Sequence, residues 1–327
     1  MSSERFLVTG AMGCIGAWVV RNLAREGLNP VVFDLATDAR RLKQIATPEE
    51  FARVRLVAGD ITDLAAVEQA LDEHEITHVI HLAALQVPFC RANPPLGARV
   101  NVVGTVNVFE AVAKRKARIE RVVYASSIAV YDAADAADGM VQQTTVGHPT
   151  TLYGVYKQAN EATARVYWLD QRVTSIGLRP YTVYGVGRDQ GLTSAPTKAM
   201  FAAAVGQPYH IPFGGRSVYQ YTADVAGAFI AAARAPFEGA DIFNLPGSTV
   251  SMSEIVAAIE ATVPEVHGQI TVGAATLPFP EAVDAEPTRR ALGALPVTPL
   301  HEAVAETVGR FRTLVARGDL AADALLS

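Results

Sequence analysis

Tyr153 and Lys157 stand four apart in Tyr153-Gly154-Val155-Tyr156-Lys157, a spacing that puts both side chains on one face of a helix. A phenol with a pKa of about 10 is a poor base at neutral pH. A neighbouring ammonium stabilises the phenolate and lowers that pKa, so the phenolate can take a proton from an alcohol. Tyr156 has the wrong spacing for this and is assigned to packing. Alone, Y-x-x-x-K also describes an ordinary helical pair. The preceding strand favours the chemical reading, because Val122-Val123-Tyr124-Ala125-Ser126-Ser127 is a buried-type run ending in two hydroxyl residues. That end is where a doubly wound sheet exposes its ligand contacts, and one serine there can hydrogen-bond a substrate alcohol.

A second constellation lies at the other end of the chain. Phe6-Leu7-Val8-Thr9-Gly10-Ala11-Met12-Gly13-Cys14-Ile15-Gly16 sets three glycines, each three apart, between a strand and a helix. Gly10 permits a tight turn, Gly13 lets a pyrophosphate approach backbone N–H groups at the helix N-terminus, and Gly16 allows close helix–strand packing. Glycines also mark ordinary turns. Here the context favours a dinucleotide, because Asp34 ends the second strand about 20 residues on, where a carboxylate accepts from an adenosine ribose and repels a 2′-phosphate. No basic residue follows Asp34 directly, and Arg40–Arg41 is several residues away, so NAD is expected over NADP. Asp60 has two readings of equal weight, a loop or cap residue before the next helix or a contact to adenine.

The elements that must hold these groups follow an alternating rhythm. Strands are expected at Phe6–Thr9, Val31–Asp34, Arg55–Ala58, His78–Leu82, Arg121–Ser126 and Thr174–Leu178. Helices are expected at Ile15–Glu26, Leu64–Glu73, Arg99–Lys116 and Tyr153–Gln171. This is the pattern of βαβ units in an α/β, Rossmann-type doubly wound parallel sheet. Beyond Arg179 prolines and the pair Gly214–Gly215 break the rhythm, as in loops covering a site. Order returns with a helix around Val225–Arg234 and another opened by the capping-box pattern at Ser251 and Glu254. We expect a cofactor-binding portion over 1–180 and a smaller, C-terminal substrate-binding portion over 181–327, interleaved across a soft boundary.

Composition narrows the partners. The chain has 327 residues, half of them hydrophobic, and a net charge of -5 with no Lys/Arg block, which disfavours nucleic acid and anionic membranes and points to small molecules. Cys14 and Cys90 make neither a disulfide framework nor a metal site, so no metal is expected and the compartment reads as reducing. There is no signal-peptide pattern at the start and no run of transmembrane length, so the cytoplasm is the default expectation.

Taken together, several motifs resemble the extended short-chain dehydrogenase/reductase, or NAD-dependent epimerase/dehydratase, family. They are Thr9 to Gly16, Gly59-Asp60-Ile61, His81-Leu82-Ala83-Ala84, Asn101-Val102-Val103-Gly104-Thr105, Ala125-Ser126-Ser127 through Val130-Tyr131, and Tyr153 with Lys157. The resemblance implies NAD bound by Gly10, Gly13, Cys14, Ile15, Gly16 and Asp34, with Asp60 and Ile61 flanking adenine. It also implies that Leu82, Ala83 and Ala84 line the cofactor, that Asn101 is a helix-kink and proton-relay position, and that Pro180 and Val183 lie towards the nicotinamide. Ser127, Tyr153 and Lys157 become the catalytic set, the last two also touching cofactor, while Ser126 is assigned to strand-end packing and His81 to structure. A homodimer through Arg99–Lys116 and Tyr153–Gln171 is a further implication.

Departures from the family pattern bear on the reaction. Ile128 and Ala129 follow Ser127 where dehydratases of the family carry Asp-Glu, and neither can transfer a proton. Hydride chemistry remains. The leading reading is an epimerase of a sugar-type substrate, working through a transient ketone. A net dehydrogenase of a sugar, sugar acid or polyol is the alternative, and a non-catalytic NAD-binding sensor is the third. Ser217 and Val218 replace an Arg-Asp pair typical of sugar-nucleotide enzymes, and Thr182 replaces an Asn. A carbohydrate without a nucleotide is therefore expected, with Ser127, Thr182, Arg188 and Arg216 as substrate-binding candidates and Lys198 as a further cation. On this reading UDP and dTDP bind weakly.

Overall fold

The computed structural model describes residues 4–35, 38–136 and 138–326. Five strands, β1 (Phe6–Thr9), β2 (Val31–Asp34), β3 (Arg55–Ala58), β4 (His78–His81) and β5 (Val122–Ala125), alternate with helices. They are joined by β6 (Ser175–Arg179) and by β9 (Ala240–Asn244), which arrives from far along the chain. The seven form one parallel sheet in the order β9-β6-β5-β4-β1-β2-β3. The crossing of the order at β1 and β4 opens a crevice at the carboxyl ends of these strands, the usual ligand position in a doubly wound sheet.

The sheet is buried on both faces, which is why its strands read as continuous apolar runs. Phe6, Val8, Val32, Ile80 and Val123 point into one core with Trp18 and Val20, while Leu7, Val31, Phe33, Val79 and Val122 point into the other. Helix α1 (Cys14–Arg25) and α7 (Thr222–Arg234) pack together on the first face. The second face is covered by α3 (Leu64–Glu73), α4 (Gly104–Ala113) and α5 (Leu152–Gln171). A short α2 (Arg40–Ile45) follows β2, and α6 (Ala195–Ala204) follows the sheet.

Past β6 the chain builds a second sheet from β7 (Thr182–Tyr184), β8 (Arg216–Tyr221) and β10 (Ser248–Ser251), with β8 parallel to β7 and antiparallel to β10. Ser251 caps the helix at Met252–Thr262 in a capping box with Glu254, as the sequence pattern indicates. The long helix expected at Arg99–Lys116 begins as a π-helical segment at Arg99–Val103 and becomes α-helical only at Gly104. Such wide turns commonly mark functional sites. None of the helices among the described residues is long and apolar enough to cross a membrane.

Candidate active site

The three glycines are held by backbone contact. At Gly10 φ is +67°, and a Cβ there would lie 2.5 Å from the Ala83 backbone; one at Gly16 would lie 2.5 Å from the Gly10 carbonyl oxygen. At Gly13 a Cβ would meet only that oxygen, at 3.1 Å, so this side of the turn is open. Helix α1 starts here with no side-chain cap and no acid in its first turn. Its first N–H groups and positive end therefore face the opening. Burial pushes the Cys14 thiol up to about 12, so no thiolate competes. This cradle fits a pyrophosphate.

Around the cradle, Met12 N donates to Asp34 Oδ2 at 2.9 Å, which fixes the carboxylate beside the turn. Asp60 accepts from Thr62 N at 2.8 Å, a loop role, and the cap of α3 is Asp63. Ile61 is buried, and Leu82 and Ala83 donate to the main chain and hydroxyl of Thr9. Arg41, several residues beyond Asp34 in sequence, comes close to the turn in space. Its guanidinium reaches back to donate to the Met12 carbonyl at 3.0 Å, because α2 folds over the turn, and its charge is taken up by Asp189.

At the catalytic end, α5 is capped by Thr151 and puts Tyr153 and Lys157 on one face, with the ammonium 5.6 Å from the phenol ring centre. Gly154 allows this approach, since a Cβ there would collide with the Ala129 carbonyl just beyond Ser127. The expected lowering of the Tyr153 pKa is not found: burial raises it, while hydrogen bonding with Ser127 and the charge of Arg188 offset part of that rise. Lys157 instead donates to the Ala125 carbonyl at 2.6 Å, and burial brings its pKa down to about 8. Tyr156 donates to Pro94 O, a packing role. His81 bonds Thr9 and Thr105, and burial depresses it to about 3, so it is a neutral structural residue.

Beneath the pair lies a buried ionic network that sequence reasoning missed. Ser126 donates to Glu161 Oε1 at 2.5 Å, so it is a buried donor and not only a packing residue. Arg179 donates to the same carboxylate at 2.7 and 2.8 Å and also to the Tyr131 hydroxyl. Glu161 lies four residues after Lys157, and that spacing was the one available signal for it. Asn101, at the π-helical segment, spends its amide on Leu85, accepting from N at 2.7 Å and donating to O at 2.9 Å, and so pins the loop after β4.

The substrate candidates separate. Arg188 borders a cavity of about 230 Å³ together with Gly13, Cys14, Arg41, Ala84 and Asp189, and its Nε is buried. Arg216 is half exposed and donates to Thr249 O at 2.7 Å, on the β10 side of β8. Ser217, Val218, Thr182 and Val183 are buried in the second sheet, Pro180 is buried just before it, and Lys198 is half-buried on α6.

The family model for the NAD dependent epimerase/dehydratase family matches residues 6–245. The chain belongs to that family. It is similar to a UDP-glucose 4-epimerase of Mycolicibacterium smegmatis, 30% identical over 94% of this chain and 98% of the relative. Among solved structures it resembles a UDP-glucose 4-epimerase of Thermus thermophilus in complex with NAD, with a TM-score of 0.78 and 26% identity over 94% of this chain and 99% of the other. It also resembles a GalE-like L-threonine dehydrogenase from Cupriavidus necator, with a TM-score of 0.80 and 25% identity over 93% and 99%. This family member is an NAD-dependent epimerase or dehydrogenase of the short-chain dehydrogenase/reductase type, and NAD is its cofactor. Bound NAD would supply the hydride acceptor, and the open glycine turn would hold its pyrophosphate.

Proposed function

We propose that the enzyme is an epimerase of a sugar-type substrate that removes a hydride from a secondary alcohol and returns it to the opposite face of a transient ketone. The observation that carries this reading is the company kept by Tyr153. Ser127 lies near its hydroxyl and offsets part of its pKa rise, Lys157 lies by its ring, and the residues after Ser127, Ile128 and Ala129, are buried and apolar. Ser127 holds the substrate hydroxyl, Tyr153 in its phenolate form takes the proton as the hydride departs, and the Lys157 ammonium beside the ring stabilises that phenolate. With no carboxylate after Ser127, water elimination has no proton donor at that point. Tyr153 then returns the proton to the reduced carbonyl.

The substrate in this proposal carries no nucleotide. Arg216 is turned towards β10, and Ser217 and Val218 offer no cation, whereas a buried diphosphate requires charged or backbone partners. The proposal includes a homodimer through α4 and α5, supported by exposed Val155, Val166 and Leu169 on α5, and sedimentation checks it. The catalytic test incubates the NAD-loaded enzyme with free sugars, sugar acids, UDP-glucose and UDP. Isomerised free sugar without accumulated NADH is expected; turnover confined to UDP-glucose would overturn the substrate class. The likeness to a threonine dehydrogenase favours one second reading, net oxidation of a small alcohol, which accumulating NADH would select.

A further inference from the structure

We propose that Asp189 holds the dinucleotide in its groove, acting through Arg41 as a strap between the cofactor turn and the segment that follows β7. This holds for either net reaction. Asp189 accepts from Arg41 Nε and Nη2 at 3.1 and 2.7 Å and from Arg40 Nη2 at 3.2 Å. Asp189 belongs to the chain after β7 and the two arginines to the start of α2, 148 residues earlier for Arg41. The side chains of Arg41 and Asp189 are only 19% and 13% exposed. A paired, half-buried fork of this kind is far less screened than a surface ion pair.

The strap lies at the cradle itself. Arg41 and Asp189 border the same cavity as Gly13 and Cys14, where the pyrophosphate fits. Two further contacts seat the segment there: Trp18 Nε1 on α1 donates to Val186 O at 2.9 Å, and a Cβ on Gly187 would stand 3.8 Å from Arg41 and 3.9 Å from Cys14. Arg41 is also wired into the turn, because Met12 receives Arg41 on its carbonyl and gives its N–H to Asp34. One residue of the turn is thus pinned from both sides, and Asp189 fixes one of the pins. The two arginines outnumber the single carboxylate, so the strap keeps positive charge beside a site for a dianion. A cofactor leaving the groove must displace this segment from the turn, and breaking the ion pair removes the main restraint on that movement. Asp189 is accordingly a positioning residue that acts on the cofactor through Arg41.

The experiment loads the protein with NADH, mixes it with excess NAD and follows release by nicotinamide fluorescence. Asp189→Asn is expected to speed release by about tenfold, the scale of losing one charge-assisted bidentate pair. Arg41→Ala should do the same, and the double variant should be no faster than the faster single variant, the signature of a coupled pair. Asp189→Glu, which keeps the charge, should restore most of the retention. Melting of the cofactor-stripped variants separates retention from folding. Release within twofold of wild type in Asp189→Asn, additive effects in the double variant, or a lower melting temperature with unchanged release would each overturn the proposal.

Discussion

The glycine turn and strand β8, one in the first sheet and one in the second, are built in different ways. At the turn the backbone shapes the cradle, and Gly10 and Gly16 are required because any side chain would collide with neighbouring main chain. On β8 the side chains decide what the strand presents, and strand alternation sets the face each of them takes. Arg216 leans on Thr249 and Glu254 while Ser217 is buried. A site built from backbone tolerates little variation and recurs across a family; one built from side chains changes its ligand by a single substitution. This contrast explains how similar chains act as sugar-nucleotide epimerases and as threonine dehydrogenases around one cofactor site.

The contrast can be broken most severely at the chemistry. Tyr153→Phe should lower turnover by roughly 10²–10⁴-fold while NADH titration shows unchanged binding; Tyr156→Phe, which loses only its bond to Pro94, serves as the control. If the Tyr156 variant lost turnover and the Tyr153 variant kept it, the proton carrier would be misassigned. The next largest effect lies in the network beneath. Glu161→Gln strands the buried Arg179, whose side chain is 6% exposed, and should cost about 3–5 kcal/mol in urea unfolding. A loss below about 1 kcal/mol, the scale of one ordinary hydrogen bond, would show that Tyr131, Gln143 and Asn244 hold Arg179 without the carboxylate.

His81 sharpens the comparison through pH. Burial depresses its pKa to about 3 in the folded protein, against about 6.5 unfolded. The unfolded chain therefore binds the extra proton first as pH falls, and the stability that neutral His81 contributes is present above a pH of about 6.5 and drains away towards a pH of about 3. His81→Gln should lose about 1–3 kcal/mol at neutral pH through its bonds to Thr9 and Thr105, with the gap to wild type closing as the solution is acidified. A gap independent of pH would refute the neutral assignment. The smallest effect belongs to β8. Arg216→Ala should change stability by less than about 0.5 kcal/mol and leave KM for a free sugar unaltered; tight UDP binding abolished by this change would reverse the reading of the second sheet.

Much of the first sheet was legible because its signals are local. β1, β2, β3 and α3 begin and end where alternation, Gly and Asp place them. β4 and β5 stop one residue earlier at their carboxyl ends than expected. That Tyr153 and Lys157 share a helix face was readable from their spacing, whereas the choice of Ser127 over Ser126 came from the family resemblance. Arg41 was not, because its partner Asp189 lies 148 residues away and periodicity carries no information over that distance. The Tyr153 pKa escapes a sequence reading for a related reason. Sequence shows which charges are neighbours on a helix, whereas burial depends on everything packed around it.

The place of β9 has a consequence for how the molecule is made. β9 pairs with β6 along its whole length, Ala240 with Ser175 through Asn244 with Arg179. During synthesis residues 180–239 must emerge before that partner exists, and until then β6 presents a bare hydrogen-bonding edge. Open edges of this kind recruit other chains. A fragment ending near residue 180 is therefore a poor candidate for separate expression, however complete its cofactor motifs look. The nascent enzyme passes through its most aggregation-prone stage just before the first sheet is closed.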